Sequence, residues 1–589
     1  MVKKICNENM QRVEINMDRI KNNLSAVMLA VMSLLAIVVV GMTFIIKPAL
    51  TQNLSADNPE MPFGEYLAGR HALLNKDYRA AADFYLKALS LDPENVSLNQ
   101  SALSVLITDG RLNDAASVSQ RLKEMGAESN TSKLILFFEN VKADEFDEAL
   151  GRIDDLSNTG ITNVIRPFFK AWIFAEQGKN SEVEEIIEGF EESNTFNFFN
   201  YYQSGLLFEY MGDNEKAEEY YSKSLGEKGL LNLRVVEAYG HVLRKQNKND
   251  QAIAVYNDYL ENSPENEHLK LALSETMEGK GTEGFVATID DAYAEIFYSI
   301  STILMQDNVK RVATNFLQYA IYFKNEFPLA RFLQAQIFES DKYYEGAAFQ
   351  LDKVPNNSPL YFQSRIQRAW LLDDMDQSEE ALIALKKLDD EHPGNRTILN
   401  SIAEFYRMHE RYSEAILTYD EIVNNLTDQT ARDWILYYTR AIVLDQEKRW
   451  PEAEKDFKKA LELRPEQPMV LNYLAYSWVD RGVNYDEAKK MLERAVELRP
   501  NDGYIVDSLG WALFKMGNDE AAALVLERAA QLQTSDWAIN HHLGDVYWTV
   551  GRENEARFQW RHALSLSPDE DKIPAIKTKI KNGYIKIFD

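Results

Sequence analysis

Apolar residues recur along this chain at helical spacing, in runs of about a dozen residues separated by short polar turns. In the stretch from Tyr78 to Pro93, YRAAADFYLKALSLDP, apolar side chains fall three and four positions apart, and Pro93 ends the run. No segment of any length shows the apolar–polar alternation that is typical of a half-buried strand. The pattern therefore predicts an all-α fold.

The helical pattern also repeats with a fixed period. Gly510 in DSLGWALFKMGNDEAA recurs as Gly544 in HLGDVYWTVGRENEARFQWRHALSLSP, and Ala522 recurs at the same offset as Ala556. One helix pair cannot bury its own apolar face, whereas stacked pairs bury a continuous core. We count 14 copies, beginning near residues 62, 96, 130, 164, 198, 233, 294, 328, 362, 396, 434, 468, 503 and 537. The copies near 96, 130, 164, 294, 328 and 362 are degenerate.

The residues that recur in register suggest a known family. The last copy carries the full set, which comprises Leu543, Gly544, Tyr547, Ala556, Trp560, Ala563 and Pro568. A period of about 34 residues with these positions resembles the tetratricopeptide repeat (TPR). The resemblance implies a superhelical solenoid of antiparallel helix pairs, in which small residues such as Gly510 let two helices approach closely. It also implies a concave face that is lined by the first helix of each pair.

The repeats divide the chain into predicted segments. The stretch that follows Pro264 does not fit the period; it begins with an apolar helical run and continues into a Gly-rich loop. We therefore predict an N-terminal sub-array at 62–266, an irregular helix and hinge at 267–293, and a C-terminal sub-array at 294–568. The basic tail at 569–589 is predicted to form a polar capping helix, because the end of a solenoid needs one.

The segment before the repeats is different in kind. Residues 24–46, LSAVMLAVMSLLAIVVVGMTFII, contain no charge, and as a helix they would span about 35 Å, enough to cross a bilayer. Five Lys or Arg residues precede this run and only Lys47 follows it closely. The positive-inside rule therefore predicts a cytoplasmic tail at 1–23, a transmembrane signal-anchor at 24–46, a linker at 47–61 and an exported array. Cleavage after Ala56 is the alternative to an anchor.

Composition argues against several classes of function. The chain has 64 Lys and Arg against 92 Asp and Glu, and this net charge of −28 disfavours nucleic-acid binding. Its only cysteine, Cys6, precedes the apolar run, which excludes a lipoprotein signal and a disulfide framework. The sequence Gly279–Gly284 matches G-x-G-x-x-G but has no βαβ context. His541 and Asp545 lie four positions apart without a further metal ligand. We expect no enzyme, cofactor or metal site.

Binding is expected on the first helices of the last repeats. Side chains there mix large aromatic rings with hydrogen-bonding groups, as protein-binding surfaces do. The alternative is that some of the aromatic residues, such as Tyr476 and Trp511, pack between neighbouring helices. The predicted groove residues are Tyr438, Asn472, Tyr476, Tyr504, Asp507, Trp511, Phe514, His541, Asp545 and Trp548.

A narrower resemblance covers residues 434–568. The stretches LNYLAYSWVDRGVNYDEA, DGYIVDSLGWALF and EARFQWRHAL resemble exported bacterial tetratricopeptide proteins. The best-known kind is an envelope lipoprotein that delivers substrates to a periplasmic carboxyl-terminal processing protease. The resemblance implies a scaffold or adaptor on the bacterial inner membrane, single-pass, with its repeats in the periplasm. Its partners would be protein or peptide ligands, including an envelope protease or its substrates. This chain departs by lacking the lipid-attachment cysteine.

Two other functions stay open at the level of sequence. One is an assembly factor for the export of envelope protein or polysaccharide. The other is a eukaryotic import receptor whose repeats face the cytosol. Such a receptor would need Lys, Arg and Asn in its groove to hold acidic peptide termini, and the corresponding positions here are aromatic and acidic. The sequence does not indicate an oligomeric state.

Overall fold

The computed structural model describes residues 63–584, except 158–159, 191–195, 227–232, 264–265, 281–284, 307–308 and 428. These residues form thirty α-helices and one 3₁₀ helix, and they contain no strand. They divide into two compact units, residues 63–384 and 385–584. The predicted transmembrane helix at 24–46 lies outside the described residues. Within the described part of the chain, no helix is both long and apolar enough to cross a bilayer.

The first unit contains six helix pairs, a single helix, and then further pairs. Its helices are α1 (Phe63–Leu74), α2 (Tyr78–Leu91), α3 (Val96–Asp109), α4 (Leu112–Glu124), α5 (Asn130–Lys142), α6 (Phe146–Asp155), α7 (Ile161–Glu176), α8 (Asn180–Glu188), α9 (Asn197–Tyr210), α10 (Asn214–Gly226), α11 (Leu233–Lys245), α12 (Asn249–Asn262), α13 (Glu267–Met277), α14 (Ile289–Gln306), α15 (Lys310–Phe323), α16 (Pro328–Ser340), α17 (Tyr344–Asp352), α18 (Tyr361–Asp374) and α19 (Ser378–Glu391), within which the boundary between the units falls.

The second unit continues with five pairs and a last single helix. Its helices are α20 (Arg396–Met408), α21 (Tyr412–Asn424), α22 (Trp434–Gln446), α23 (Trp450–Leu463), α24 (Pro468–Asp480), α25 (Tyr485–Leu498), α26 (Gly503–Lys515), α27 (Asp519–Leu532), α28 (Trp537–Thr549), α29 (Glu553–Ser565) and α30 (Ile573–Asn582); the 3₁₀ helix is Ala431–Asp433. The helix pairs in the described residues begin at or close to the predicted repeat starts, so the all-α fold of tandem helix pairs is confirmed.

A small residue on the first helix of a pair meets a large residue on the second helix. A Cβ atom at Gly205 would lie 2.5 Å from the ring of Tyr221, and one at Gly544 would lie 2.5 Å from the ring of Trp560. Both rings are fully buried. Two helices can therefore approach closely only because one of them lacks a side chain at the crossing point. This contact is the physical reason for the Leu-Gly signature in the sequence.

In the first unit, later helices pack against the faces of much earlier ones. The ring of Phe297 on α14 lies 5.3 Å from that of Phe138 on α5, and Tyr293 lies 5.1 Å from Phe169 on α7. The Tyr322 hydroxyl on α15 donates a 2.5 Å hydrogen bond to Glu139. Helices α14 and α15 therefore share one apolar core with α3, α5 and α7.

A buried polar network reinforces this packing. Glu295 on α14, which is 1% exposed, forms an ion pair with Arg234 on α11 and accepts a 3.1 Å hydrogen bond from the Tyr202 hydroxyl on α9. Arg234 also donates to Glu237 at 2.5 Å. Because a buried carboxylate is costly unless it is paired, this network ties α14 to the helices that precede it.

These contacts concern the predicted division of the repeats into two sub-arrays at residues 267–293. The irregular segment 267–293 does contain a separate helix, α13. The compact first unit nevertheless runs through that segment, because α14 and α15 pack on helices before it. The copies near 96, 130, 164 and 294, which depart from the repeat pattern, include the helices α3, α5, α7 and α14 that make these contacts. Their side chains must fit a second set of helices as well as their immediate neighbours.

Candidate functional site

The ten predicted groove residues all lie on the first helices of the last four pairs, α22, α24, α26 and α28. Their exposure divides them into two groups. Six are buried by neighbouring helices, namely Tyr438, Asn472, Tyr504, Asp507, Phe514 and Asp545. Four are half-buried and keep part of their surface in solvent, namely Tyr476, Trp511, His541 and Trp548.

Asp507 and Trp511 both contact a histidine that the sequence did not single out. The His542 ring nitrogen Nδ1 lies 3.1 Å from each carboxylate oxygen of Asp507, and the Asp507 side chain is fully buried. The His542 ring also stacks on the indole of Trp511, with centroids 4.1 Å apart. Asp507 therefore joins α26 to α28 and offers no surface to a ligand. The only signal for His542 in the sequence is its position, one repeat and one residue after Asp507.

The polar pair His541 and Asp545 is occupied by a lysine from α30. The Lys579 ammonium lies 2.6 Å from Asp545 Oδ2 and 2.8 Å from His541 Nε2. The other carboxylate oxygen of Asp545 accepts a 2.9 Å hydrogen bond from the Trp560 indole. Burial, followed by the Lys579 charge, lowers the pKa of His541 to about 2, so the ring is neutral and accepts from Lys579. Burial also raises the pKa of Asp545.

Asn472 differs from the residues at the same position of the next two repeats. Asp507 is satisfied by His542, and His541 by Lys579, but the side-chain oxygen of Asn472 has no hydrogen-bond partner, although the residue is only 8% exposed. One turn later on the same helix lies the half-buried Tyr476, whose hydroxyl pKa is raised by burial. Helix α24 therefore carries an unpartnered acceptor one turn before a partly exposed aromatic ring.

Comparison with protein-family models identifies the kind of repeat to which most of these helix pairs belong. Three models, each described as Tetratricopeptide repeat, match at residues 434–467, at 202–267 and 481–536, and at 66–95 and 538–570. In these five segments the chain carries tetratricopeptide repeats. The matched segments include α22 and α26 and nearly all of α28, and α24 lies between two of them.

Several solved structures are similar to this TPR array at low sequence identity. One is the crystal structure of a tetratricopeptide repeat protein from Parabacteroides merdae, 20% identical, which covers 43% of this chain and 99% of its own with a TM-score of 0.36. Another is the Cut9-Hcn1 hetero-tetramer of the APC/C, 15% identical, which covers 89% of this chain and 96% of its own with a TM-score of 0.37. No curated protein matches this sequence.

Three of the predicted groove residues pack between TPR helices instead of facing outward. The Tyr438 ring lies 5.8 Å from Trp434 and 6.0 Å from Phe457. The Tyr504 hydroxyl accepts a 3.3 Å hydrogen bond from Gln533. The Phe514 ring is 1% exposed. Apolar periodicity could not separate these rings from groove residues, since adjacent TPR helices bury part of the face that an isolated helix would expose.

Trp548 lies on the first helix of the last repeat and is packed against residues from α29 and from the segment after α30. Its ring lies 5.6 Å from that of Trp560, and the Arg557 guanidinium lies 4.6 Å above it. The backbone at Gly583 passes so close that a Cβ atom there would overlap the Trp548 ring. Because Gly583 has φ of 85°, only glycine suits this position on both grounds. The backbone at Gly583, directly after α30, therefore covers part of Trp548.

The described residues hold no group of three His, Cys, Asp or Glu side chains that could bind a metal ion. His541 and Asp545 lie 3.8 Å apart, but the Lys579 ammonium occupies the place that a cation would take. The G-x-G-x-x-G stretch Gly279–Gly284 lies mostly outside the described residues. The first helices of the last four pairs therefore offer partly exposed aromatic rings, the unpartnered oxygen of Asn472 and one filled ammonium site.

Proposed function

We propose that this protein is a non-enzymatic scaffold, anchored in the bacterial inner membrane by residues 24–46, whose periplasmic repeats bind protein or peptide ligands. TPR arrays generally serve protein–protein interaction, and their function lies on the surface that the stacked first helices form. The charge asymmetry about residues 24–46 supports the anchor and the exported array.

The observation that carries the binding function is the unpartnered oxygen of Asn472 near Tyr476. A buried polar atom without a partner costs about 1–3 kcal/mol. The Asn472 oxygen is itself buried, so a ligand that donates a hydrogen bond removes this cost once the neighbouring side chains move aside. Peptide backbones carry such N–H donors at every residue except proline. The half-buried rings of Tyr476 and Trp511 offer apolar area that a bound chain would cover.

The form of scaffold that we propose is an adaptor that presents substrates to an envelope protease. The resemblance of residues 434–568 to exported bacterial TPR proteins supports it. The partner is a protein in this proposal, because the acidic composition disfavours phosphate backbones.

The experiment is recovery of partners from membranes with the tagged full-length chain, read by mass spectrometry. Asn472→Ala removes an acceptor that no group within the chain uses, so the fold should keep its stability while partner binding falls about tenfold. The matched control is Phe558→Ala on α29, a second helix, where the ring is 64% exposed. Unchanged recovery with a folded Asn472→Ala protein would show that binding lies elsewhere.

A further inference from the structure

The last repeat contains a pocket built around an ammonium group. Lys579 Nζ donates to Asp545 Oδ2 at 2.6 Å and to His541 Nε2 at 2.8 Å, and it lies 4.6 Å from the centroid of the Tyr584 ring. An ammonium group has three donors and a full charge, and here it meets a carboxylate, a neutral imidazole and an aromatic face. Lys579 itself comes from α30, the last helix.

The acceptors of this pocket are held by the last repeat itself. The Asp545 side chain is 2% exposed, and its second oxygen is held by the Trp560 indole. His541 lies on the same face of α28, one turn earlier, beside the Trp537 ring. Without a cation the buried carboxylate would keep only the indole as a partner, which is unfavourable. The pocket therefore favours a positively charged group.

Apart from Lys579, most side chains of helix α30 face solvent. Ile576 is the one fully buried residue of the helix, and Pro574, Ala575, Lys577, Thr578, Lys581 and Asn582 are exposed. Its sequence, IPAIKTKIKN, contains three lysines and no acidic residue, in a chain whose net charge is −28. A basic helix thus lies on an acidic array through Lys579, the buried Ile576 and the half-buried Ile573 and Ile580. The Arg557 guanidinium also donates a 3.3 Å hydrogen bond to the Ile580 carbonyl.

We propose that this pocket is a lysine-binding site, that α30 fills it as an intramolecular ligand, and that a lysine-bearing basic segment of a partner protein binds there by displacing α30. The inference rests on the proposed scaffold function and names the chemistry of one class of partner. The occupant is argued from charge complementarity, since the chain's own segment shows which group the pocket accepts. Tethering gives α30 an effective concentration in the millimolar range, so a partner must offer more contacts than α30 does.

The probe is a fluorescent synthetic peptide with the sequence of residues 569–584, and the protein is the full chain. Ile576→Ser combined with Lys579→Ser should release α30 and leave the pocket intact. We expect this release variant to bind the peptide, and the wild-type chain to bind it at least about tenfold more weakly because α30 competes. Acetylation of the peptide lysine at position 579, or Asp545→Asn in the release variant, should also weaken binding at least about tenfold.

Absence of peptide binding to a folded release variant, or equal binding of the acetylated peptide, would overturn the proposal. If the release variant loses the last repeat, hydrogen exchange of residues 573–582 in the Asp545→Asn chain decides instead. Faster exchange confined to α30 supports the pocket, and unchanged exchange overturns it. The peptide assay contains no partner protein, so unchanged partner recovery with the folded Asn472→Ala protein would count against the scaffold function alone.

Discussion

Gly510 faces the side chain of Leu526 so closely that a Cβ atom on residue 510 would lie 2.6 Å from Leu526 Cγ. Gly544 and Trp560 meet in the same way, at the same spacing, in the next repeat. Gly510→Leu should therefore overpack the crossing of α26 and α27 and lower the free energy of unfolding by about 1–3 kcal/mol. Chemical denaturation of the purified chain measures this. Gly151→Leu, in a helix where nothing lies within 4 Å, is the control and should not destabilise.

Removal of the Asp507 carboxylate should weaken the fold and not only a binding surface. Asp507→Ala leaves the ring nitrogen of His542 without its partner, and we expect a loss of about 1–3 kcal/mol in stability. A double-mutant cycle with His542→Ala should show a coupling of about 0.5–3 kcal/mol. Asp480→Ala, at an exposed carboxylate on α24, should change stability by less than about 0.5 kcal/mol. Additive effects of the two substitutions would contradict the contact.

The first unit should depend strongly on Glu295. Glu295→Ala removes the buried partner of Arg234 and of the Tyr202 hydroxyl, so we expect a loss of about 3–5 kcal/mol. Limited proteolysis should then cut between α13 and α14 sooner than in the wild-type chain, because α14 is held less firmly to α9 and α11. Glu326→Ala, at an exposed position after α15, is the control. Equal cleavage rates in both variants would refute a role of the network in docking α14.

Docking of α30 should weaken as the pH falls below about 6.5. In the docked state the pKa of His541 is about 2, whereas in water an imidazole has its ordinary pKa near 6.5. Undocking removes the Lys579 charge and part of the burial, so the undocked state takes up a proton more readily than the docked state. Docking therefore loses up to about 1.4 kcal/mol for each pH unit below about 6.5. The charged and titratable groups that face His541 are Lys579, Lys572, His542 and Asp545.

Burial raises the pKa of Asp545, which acts with the opposite sign, so a control that retains Asp545 is needed. His541→Gln keeps an acceptor for Lys579 and does not titrate. Hydrogen exchange of residues 573–582, corrected for intrinsic rates, should accelerate between about pH 7.5 and 5.5 in the wild-type chain more than in His541→Gln. The same acceleration in both chains would assign the pH dependence to another group.

The proposed topology can be tested in intact cells. Positive charge before residues 24–46 predicts that the repeats lie outside the cytoplasm. Protease added to spheroplasts should then digest the array, and a tag at the N-terminus should stay protected. Full protection of the repeats would instead place them in the cytoplasm, and it would favour the alternative of an import receptor that faces the cytosol.

The sequence by itself determined the local structure and the repeat. Helical spacing, the fixed period and small residues such as Gly544 predicted the helix pairs and their register, because each pair is built from contacts within a single repeat. These contacts leave a regular signature in the sequence. The resemblance to the tetratricopeptide repeat drawn from that signature is confirmed by the family comparison over the five matched segments.

Tertiary structure alone decided which side chains meet across the repeats. Nothing in the sequence marked α14 as a partner of α5 and α7, because Phe297 and Phe138 are far apart along the chain and any apolar face could have served. The environment of the predicted groove residues was likewise decided by contacts between repeats. Asp507 and Asn472 occupy equivalent positions, yet the next helix supplies His542 to one and no hydrogen-bond partner to the oxygen of the other. Whether a polar residue at that position is core or site depends on the neighbouring helix, and that is a property of packing.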